Sequence, residues 1–457
     1  MKKSVLTDNC YHINYISKAM DFKVTSGWVA DLMRFIRAGK LPALIFLISL
    51  FGYENVQSQE IDMLLKGGHV IDPKNNIDSR MDVAIAGGKI LRVAPNISVE
   101  KAKEVIDVSG MYVTPGIIDM HVHTFWGTNG DYYNDGPLSI QPDGFTFRSG
   151  VTTIVDPGSM GWRTFPAFKK QTIDQSQTRV LALLNIVGSG MRLIFEQDSN
   201  DMDPKLTARA VKIYKKYVVG IKTAHYYGGF TAVDRSVRAS ELSGGLPVMI
   251  DFGDSRPPLS LEELLLKRLR PGDIYTHMYT GVPLREHVVD KDGKVKPFVI
   301  EAQKKGIIFD VGFGGGSCGF SQMIPSVRQG FLPDVISTDL HYDSMNAGMK
   351  SMSNVMSMFL SLGLSFPDVI LRSTWNPAKV INRTDLGHLS PGVDADIAVF
   401  TIKEGEFGYQ DSYDRKFNGT KKIETELTIR AGTIVWNQNG LGAKMWDTDP
   451  VIFNIPN

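Results

Sequence analysis

The chain has 457 residues, in which 50 Lys and Arg nearly balance 49 Asp and Glu and give a formal net charge of +1. This balance provides no basic field for nucleic acid and no acidic steering tail, so it favours a small-molecule partner and leaves a homo-oligomer open. Only two cysteines occur, Cys10 and Cys318, which excludes a disulfide framework or a thiolate metal cluster within one chain. The length exceeds that of a usual single core and suits a large domain with a smaller satellite.

The first predicted element is a secretory signal. Residues 33–40 are basic, residues 41–53 are almost wholly apolar, and the polar residues 54–59 could carry a cleavage site. The apolar run is too short for a membrane span, which takes about 20 residues. We therefore predict that residues 1–59 are an N-terminal extension with a signal peptide, that Met33 is the true start, and that the mature protein is exported to the periplasm without stable membrane insertion. A cytoplasmic or membrane-anchored protein is the alternative.

Short strands and turns occupy both ends of the remaining chain. In residues 60–115, alternating apolar runs are separated by Gly67-Gly68 and by Gly87-Gly88, and two-residue glycine turns of this kind are typical of hairpins. The same pattern of short alternating apolar runs separated by turns recurs in residues 386–457. The two segments are predicted to pair into one small β-sandwich that brackets the central domain.

Between residues 116 and 385, buried apolar strands alternate with helical patterns such as 205–217 and 260–269, which argues for βα units around a parallel sheet. Eight such units predict an α/β fold with a closed (β/α)8 TIM barrel. In such barrels the chemistry lies at the carboxyl ends of the strands, where the polar residues of this segment fall. The predicted strands are 117–123, 151–156, 180–186, 218–222, 247–252, 273–277, 307–311 and 335–339.

The first of these strands carries the most informative motif, Pro115-Gly116-Ile117-Ile118-Asp119-Met120-His121-Val122-His123. Residues i and i+2 of a strand point to one face, so His121 and His123 are placed to bind one metal ion. Neutral imidazole is the commonest metal ligand. Asp119 lies one pleat back, where it can support the site without binding the ion.

The context of this motif resembles that of the amidohydrolase superfamily, and further segments of the chain share the resemblance. They are similar to the amidohydrolase/deacetylase branch, which stands beside relatives described as dihydroorotases, and the similarity extends over residues 60–445. The resemblance implies a metal-dependent hydrolase with a (β/α)8 barrel. The segments that carry it are 115–123, 150–159, 183–186, 309–317 and 337–341.

The resemblance also implies roles for three strand-end residues. Lys222 would react with carbon dioxide to form a carbamate that can bridge two divalent ions, whereas the residues alone favour a snorkelling or ion-paired lysine. His277 would bind metal, and Asp339 would be the general base that takes a proton from water and passes it to the leaving group. The implied cofactor is one or two divalent ions, with Zn²⁺ first and manganese, iron or cobalt also compatible with the ligand set.

Two positions depart from the pattern of the superfamily. Where many members carry a fifth-strand histidine ligand, this chain has Asp251. Asp251 is predicted to bind the second metal, with His225 as the alternative ligand and substrate binding as the other option for each. Phe313 stands where relatives of this branch often place a histidine, and this change would alter specificity or weaken turnover.

The glycine-rich turn 312–316 lacks the Lys-Ser/Thr ending and the helix signature of a phosphate-binding P-loop. It is interpreted either as a place where backbone approaches the substrate or as a plain flexible turn. An arginine in the pocket would suit a carboxylate on the substrate. The candidate substrate contacts are Tyr226, Arg192 and His341, followed by Tyr227 and Arg235.

With the resemblance, these residues predict hydrolysis of a non-peptide C–N amide bond, or a related ester bond, in a small acylated molecule, as a deacetylase would perform it. A cyclic amidase of the dihydroorotase or hydantoinase kind would use the same metals on a ring amide. A catalytically silent barrel that only binds a ligand is the third hypothesis, motivated by Asp251 and Phe313 in place of histidines. The retained Asp339 argues against it, because a structural barrel has no need of an acid at that strand end.

Overall fold

The computed structural model describes residues 60–126, 138–191, 195–251, 255 and 258–447. All of them fall within Glu60–Asn457, one of the two units into which the chain divides. The predicted signal, the start at Met33 and the candidate Arg192 lie outside the described residues. In the described part of the chain, no helix is both long and apolar enough to cross a bilayer.

Eight strands from both ends of the described chain form one sheet: β1 Ile61–Asp72, β2 Ile77–Ala86, β3 Lys89–Ala94, β4 Ala102–Asp107, β5 Tyr112–Pro115, β13 Ile397–Gln410, β14 Lys416–Arg430 and β15 Thr433–Asn437. Their order is β15-β14-β13-β5-β1-β2-β3, and β4 pairs with β1. β13 runs antiparallel to β5, with Val399 opposite Val113. The prediction that the two segments pair with each other is therefore confirmed.

The two glycine pairs of this sheet have different roles. Gly87-Gly88 joins β2 to β3 as a hairpin. The prediction of a hairpin at Gly67-Gly68 is wrong, because these residues lie inside β1. There the register between β1 and β2 shifts between Leu65 and Gly68. A Cβ at Gly68 would lie 2.5 Å from the Val113 side chain, so the glycines form a bulge that lets neighbouring strands approach closely.

The central segment forms a second sheet of seven strands: β6 Ile117–Asp119, β7 Val151–Asp156, β8 Arg179–Asn185, β9 Val218–Thr223, β10 Val248–Ile250, β11 Ile274–Tyr275 and β12 Ile308–Phe309. They pair in chain order, and every pairing is parallel. One face is packed by a single apolar cluster in which Ile118 of β6 joins Ile274 of β11 and Val335. Since residues from both ends of the sheet share this cluster, the sheet is curled.

The prediction of a regular eighth strand over residues 335–339 is wrong. The segment makes isolated parallel bridges at Val335, opposite Asp310, and at Leu340, opposite Val122. Between them, the Thr338 amide donates to the Asp119 side chain rather than to a neighbouring strand, and Asp339 has φ of +51°. A left-handed residue and a side-chain partner interrupt the ladder that a strand requires.

Helices α1 to α5 lie between strands of the second sheet, and α6 to α10 follow β12: α1 Phe165–Gln171, α2 Pro204–Ile213, α3 Thr231–Ser243, α4 Leu261–Glu263, α5 Pro297–Lys304, α6 Phe320–Arg328, α7 Tyr342–Met345, α8 Met352–Ser361, α9 Phe366–Ser373 and α10 Trp375–Val380. α2 confirms a helix at the predicted position 205–217 but ends at Ile213, and it begins where the Asp203 carboxylate accepts from the amides of Lys205 and Leu206. The second predicted helix starts as α4 and continues as a π-helical turn, Leu264–Arg268.

Candidate metal centre

His121 and His123 follow β6, which ends at Asp119, so they lie just beyond the strand rather than within it. Both side chains are buried. Their Nε2 atoms lie 3.4 and 3.3 Å from Asp339 Oδ1. The two imidazoles thus converge on one carboxylate at the carboxyl end of the sheet.

The Nδ1 atoms of these rings are fixed by neighbouring groups. His121 Nδ1 lies 3.1 Å from Thr276 Oγ1, and that hydroxyl donates its own proton to Asp310 Oδ2 at 2.7 Å. His123 Nδ1 lies 2.8 Å from Ser159 Oγ. Because Thr276 has already used its proton, Nδ1 of His121 must be the donor, and its Nε2 presents a lone pair to the centre of the site.

His277 approaches the same centre from the end of β11. Its Nδ1 donates to the Gly312 carbonyl at 2.5 Å, which leaves Nε2 of a neutral ring as the acceptor. Ligand atoms of His121, His277 and Asp339 all lie within 4.8 Å of one another. This buried set of two imidazoles and a carboxylate is suited to a divalent transition metal.

Lys222 lies on β9 and is fully buried. Its Nζ donates to Met249 Sδ at 3.6 Å. Burial lowers the pKa of Lys222, and the carboxylates of Asp251 and Asp339 oppose the shift. A lysine in this environment carries a larger neutral fraction than an exposed one, so its amine is more nucleophilic.

Asp251 and His225, the two alternatives for the extra ligand, lie together. Asp251 Oδ2 is 3.3 Å from His225 Nε2 and 3.5 Å from His277 Nε2. The other oxygen, Oδ1, accepts from Arg285 Nη1 at 2.8 Å, and this ion pair is buried on both sides. The site therefore has a second half, in which two imidazoles and one carboxylate meet beside an arginine that the sequence reasoning did not single out.

Charge is distributed unevenly among these groups. Burial lowers the pKa of His121 to about 4, so this ring is neutral at neutral pH. Burial would raise the pKa of Asp339, but the rings of His121 and His341 outweigh it and hold that pKa below its usual range. Burial would likewise lower the pKa of His225, but Glu196 and Asp251 outweigh it and raise that pKa to about 9. A metal ion bound at His225 would therefore displace a proton.

Three site residues hold backbone conformations that are uncommon for residues with a side chain. His225, His277 and Asp339 have φ of +50°, +54° and +51°. Such positions cost of order 1–3 kcal/mol each and concentrate at functional sites, where the surrounding structure enforces them. All three side chains are part of the site, where His277 and Asp339 share one group of possible ligand atoms and His225 faces Asp251.

Asp119 supports the site through the backbone rather than through an imidazole. Its Oδ1 accepts from the amides of His121 and Thr338, at 3.2 and 3.1 Å, and its Oδ2 accepts from the Thr338 hydroxyl at 2.5 Å. Burial raises the pKa of Asp119 to about 7. The side chain ties the segment that carries the first two histidines to the segment that carries Asp339.

Comparison with known proteins identifies the family of the chain. The sequence pattern of the Amidohydrolase family matches residues 298–435. A deacetylase of Agrobacterium fabrum is 31% identical over 348 residues, which cover 74% of this chain and 83% of that protein. The chain belongs to the amidohydrolase family. It is accordingly a metal-dependent hydrolase that acts on carbon–nitrogen bonds.

Solved structures extend the match of this amidohydrolase to more than four fifths of the chain. An adenine deaminase is similar with a TM-score of 0.75 at 29% identity, over 83% of this chain and 100% of that chain. A dihydroorotase is similar with a TM-score of 0.72 at 27% identity, over 82% of this chain and 99% of that chain. The metal on which the family depends fits the donor set, because the Nδ1 partners of His121 and His277 leave both Nε2 atoms as acceptors inside the site.

The glycine-rich turn of this amidohydrolase packs directly on the site. A Cβ at Gly312 would collide with Thr276 Oγ1 and lie 2.9 Å from His277 Nδ1, and a Cβ at Gly314 would lie 2.6 Å from Asp339 Oδ2. Both glycines have positive φ, and Phe313 between them is fully buried. The backbone of the turn therefore packs as a wall against the histidines and Asp339. This packing does not fit the interpretation as a plain flexible turn.

Gly312→Ala is expected to lower the free energy of unfolding by about 1–3 kcal/mol, through overpacking and a strained φ, and to lower activity by displacing the His277 ring. Gly316→Ala is the matched control, because a Cβ at Gly316 meets no atom within 4 Å. Chemical denaturation and an activity assay on both variants measure the two effects. Equal stability and activity in the two variants would contradict the close packing described for the turn.

The candidate substrate contacts have different surroundings. His341 lies beside the site, with Nε2 3.8 Å from Asp339 Oδ2, and its Nδ1 accepts from the Ser344 amide at the start of α7. The Tyr226 backbone carbonyl accepts from Ser255, and its ring is half-buried. Arg235 donates to the backbone carbonyls of loop residues 199 and 202, which is a structural contact.

Sequence reasoning missed several groups that orient the site. Thr276 and Asp310 hold His121, Ser159 holds His123, and Glu196 lies 3.1 Å from His225 Nδ1. Thr276 and Asp310 are each the last but one residue of a predicted strand, 273–277 and 307–311, so their positions offered a signal. Glu196 lies in a short 3-10 turn whose sequence has no periodic pattern to indicate its partner.

Proposed function

We propose that this amidohydrolase is a deacetylase that removes an acyl group, with acetyl first, from the nitrogen or oxygen of a small molecule. The observation that carries the proposal is the convergence of His121, His123 and His277 on Asp339 in a buried site. The deacetylase of Agrobacterium fabrum, similar over most of both chains, supports the choice of the acyl substrate.

For the metal centre we propose one or two divalent ions, Zn²⁺ first. His121, His123 and His277 would bind through Nε2, and Lys222, as a carbamate formed with carbon dioxide, would supply the anion between two ions. The burial of Lys222 supports this role, since a neutral amine is the form that reacts with carbon dioxide. His225 and Asp251 are the proposed additional ligands, because His225 Nε2 and Asp251 Oδ2 lie 3.3 Å apart and Arg285 pairs with the other oxygen, Oδ1. When bound, the metal would activate water and polarise the scissile carbonyl.

Asp339 is the proposed general base. Its low pKa keeps the carboxylate ionised at neutral pH, so it can accept a proton from the attacking water. The same carboxyl would then pass this proton to the leaving nitrogen or oxygen as the tetrahedral species collapses. The wall formed by Gly312 and Gly314 would keep bulk water from this carboxylate.

The finer architecture is also a proposal. The bridges at Val335 and Leu340 connect residue 335 to Asp310, next to β12, and residue 340 to Val122, beyond β6, which supports closure of the curled sheet into a (β/α)8 barrel over residues 116–385. Residues 60–115 and 386–457 would form a β-sandwich domain around it. Export of the protein is proposed on the sequence of residues 33–59 alone.

A second candidate function is cyclic amide hydrolysis, favoured by the likeness to a dihydroorotase at 27% identity. The two activities share the metal centre and differ in the pocket. An assay panel of N-acetyl amino acids and acetyl esters against dihydroorotate and hydantoins separates them. Acetate release from the open-chain substrates is the expected result, while turnover restricted to the cyclic amides would contradict the deacetylase proposal.

A further inference from the structure

A short loop element, residues 195–197, is in hydrogen-bond contact with both the side chain and the backbone of His225. Glu196 and Gln197 lie in the 3-10 turn Phe195–Gln197, which follows β8 in the chain. Glu196 is fully buried, and its Oε2 lies 3.1 Å from His225 Nδ1. Within the described residues its second oxygen, Oε1, makes no hydrogen bond. A buried carboxylate with a single protein partner is retained at a desolvation cost, which indicates that it serves that partner.

Gln197 holds the backbone on either side of the same imidazole. Its Nε2 donates to the His225 carbonyl at 2.6 Å, and its Oε1 accepts from the Tyr227 amide at 3.0 Å. One side-chain amide therefore spans residues 225–227. His225 has φ of +50° in this stretch, and the two hydrogen bonds offset the cost of that conformation.

The loop that carries Glu196 and Gln197 is itself anchored. The Asp198 carboxylate accepts from the Asn200 amide and begins the next 3-10 turn. Arg235 of α3 donates to the carbonyls of Ser199 and Met202. The two side chains that grip His225 are thus attached to a helix through a short braced segment, so their position is set independently of the metal centre.

We propose that Glu196 and Gln197, here called the His225 clamp, are positioning residues that prepare His225 to bind the second metal ion. Glu196 accepts from Nδ1, which directs Nε2 toward Asp251, and Gln197 fixes the backbone that orients the ring. A carboxylate behind a metal-bound imidazole increases its basicity and fixes its tautomer. The inference rests on the proposed two-ion centre and assigns the positioning of a ligand of the second ion to the clamp.

The test is metal affinity measured on the full chain. Zn²⁺ is titrated against a chromophoric chelator, and Co²⁺ substitution is followed by visible absorption, for wild type, Glu196→Ala, Glu196→Gln and Gln197→Ala. Glu196→Ala is expected to weaken one of two ions by roughly 10- to 100-fold and to leave the other unchanged. Glu196→Gln, whose amide oxygen can still accept from Nδ1, is expected to stay closer to wild type, and Gln197→Ala is expected to weaken the same ion.

Glu262→Ala is the matched control, because Glu262 is exposed on α4. Thermal unfolding of each variant shows whether it folds. If the Glu196→Ala variant does not fold, the Gln197→Ala variant still tests the clamp. Unchanged affinity for both ions, equal weakening of both, or a wild-type protein that binds a single ion would overturn the clamp. A wild-type protein that binds no divalent ion would instead overturn the proposed function.

Discussion

Asp339→Asn is expected to lower kcat by roughly 100- to 10,000-fold while the protein keeps its metal, because an amide cannot take the proton that water must lose. The amide oxygen of asparagine can still face the Nε2 atoms of His121 and His123, which lie 3.4 and 3.3 Å from the present Oδ1. Steady-state kinetics on an acetylated substrate, together with metal analysis of the same preparation, measure both quantities.

The control for this substitution is Asp343→Asn, since Asp343 lies four residues further along and is exposed at the start of α7. That variant is expected to retain wild-type kcat. Wild-type turnover in Asp339→Asn would remove Asp339 as the base. Loss of metal in parallel with activity would show instead that its main role is to bind the ion.

Lys222→Met is expected to separate stability from function. Methionine has similar length and needs no desolvation of an ammonium group, so the free energy of unfolding should be unchanged or higher. Activity should fall by more than about 100-fold, which corresponds to about 2.7 kcal/mol of lost transition-state stabilisation, and metal content should fall as well. Denaturant unfolding, kinetics and metal analysis provide the three readouts.

Lys212→Met on the exposed face of α2 is the matched control for loss of a lysine and gain of a thioether. It should leave both metal content and kcat unchanged. If Lys222→Met lost stability and kept its activity, Lys222 would be a packed structural lysine, the simpler interpretation that its sequence context also allowed.

The parts of the fold that could be predicted are those with strong local patterns. Val151–Asp156 is a continuous, largely β-branched run that is buried along its whole length, and the observed strand has the predicted bounds. Pairing of the two chain ends followed from alternation in both segments. The segment at residues 335–339 has an equally apolar start, but its ladder is broken by a hydrogen bond to Asp119, a partner more than two hundred residues away.

The residues of the site likewise divide into those that the sequence could indicate and those that it could not. His121 and His123 could be singled out because their spacing has a geometric meaning in an extended chain. The contacts of Arg285 and Glu196 could not, since a lone arginine or glutamate in a loop carries no periodicity and its partner is decided by tertiary packing. The positive φ of His225, His277 and Asp339 was equally hidden, because histidine and aspartate adopt this conformation more often than most residues but still in a small minority of positions.

The most direct test of the account is the divalent metal content of purified, active wild-type protein, compared with that of a His121→Ala/His123→Ala double variant. We expect one or two divalent transition-metal ions per wild-type chain, loss of metal and activity in the double variant, and loss of activity when a chelator strips the wild type. Full activity in wild-type protein that holds no such metal would contradict it.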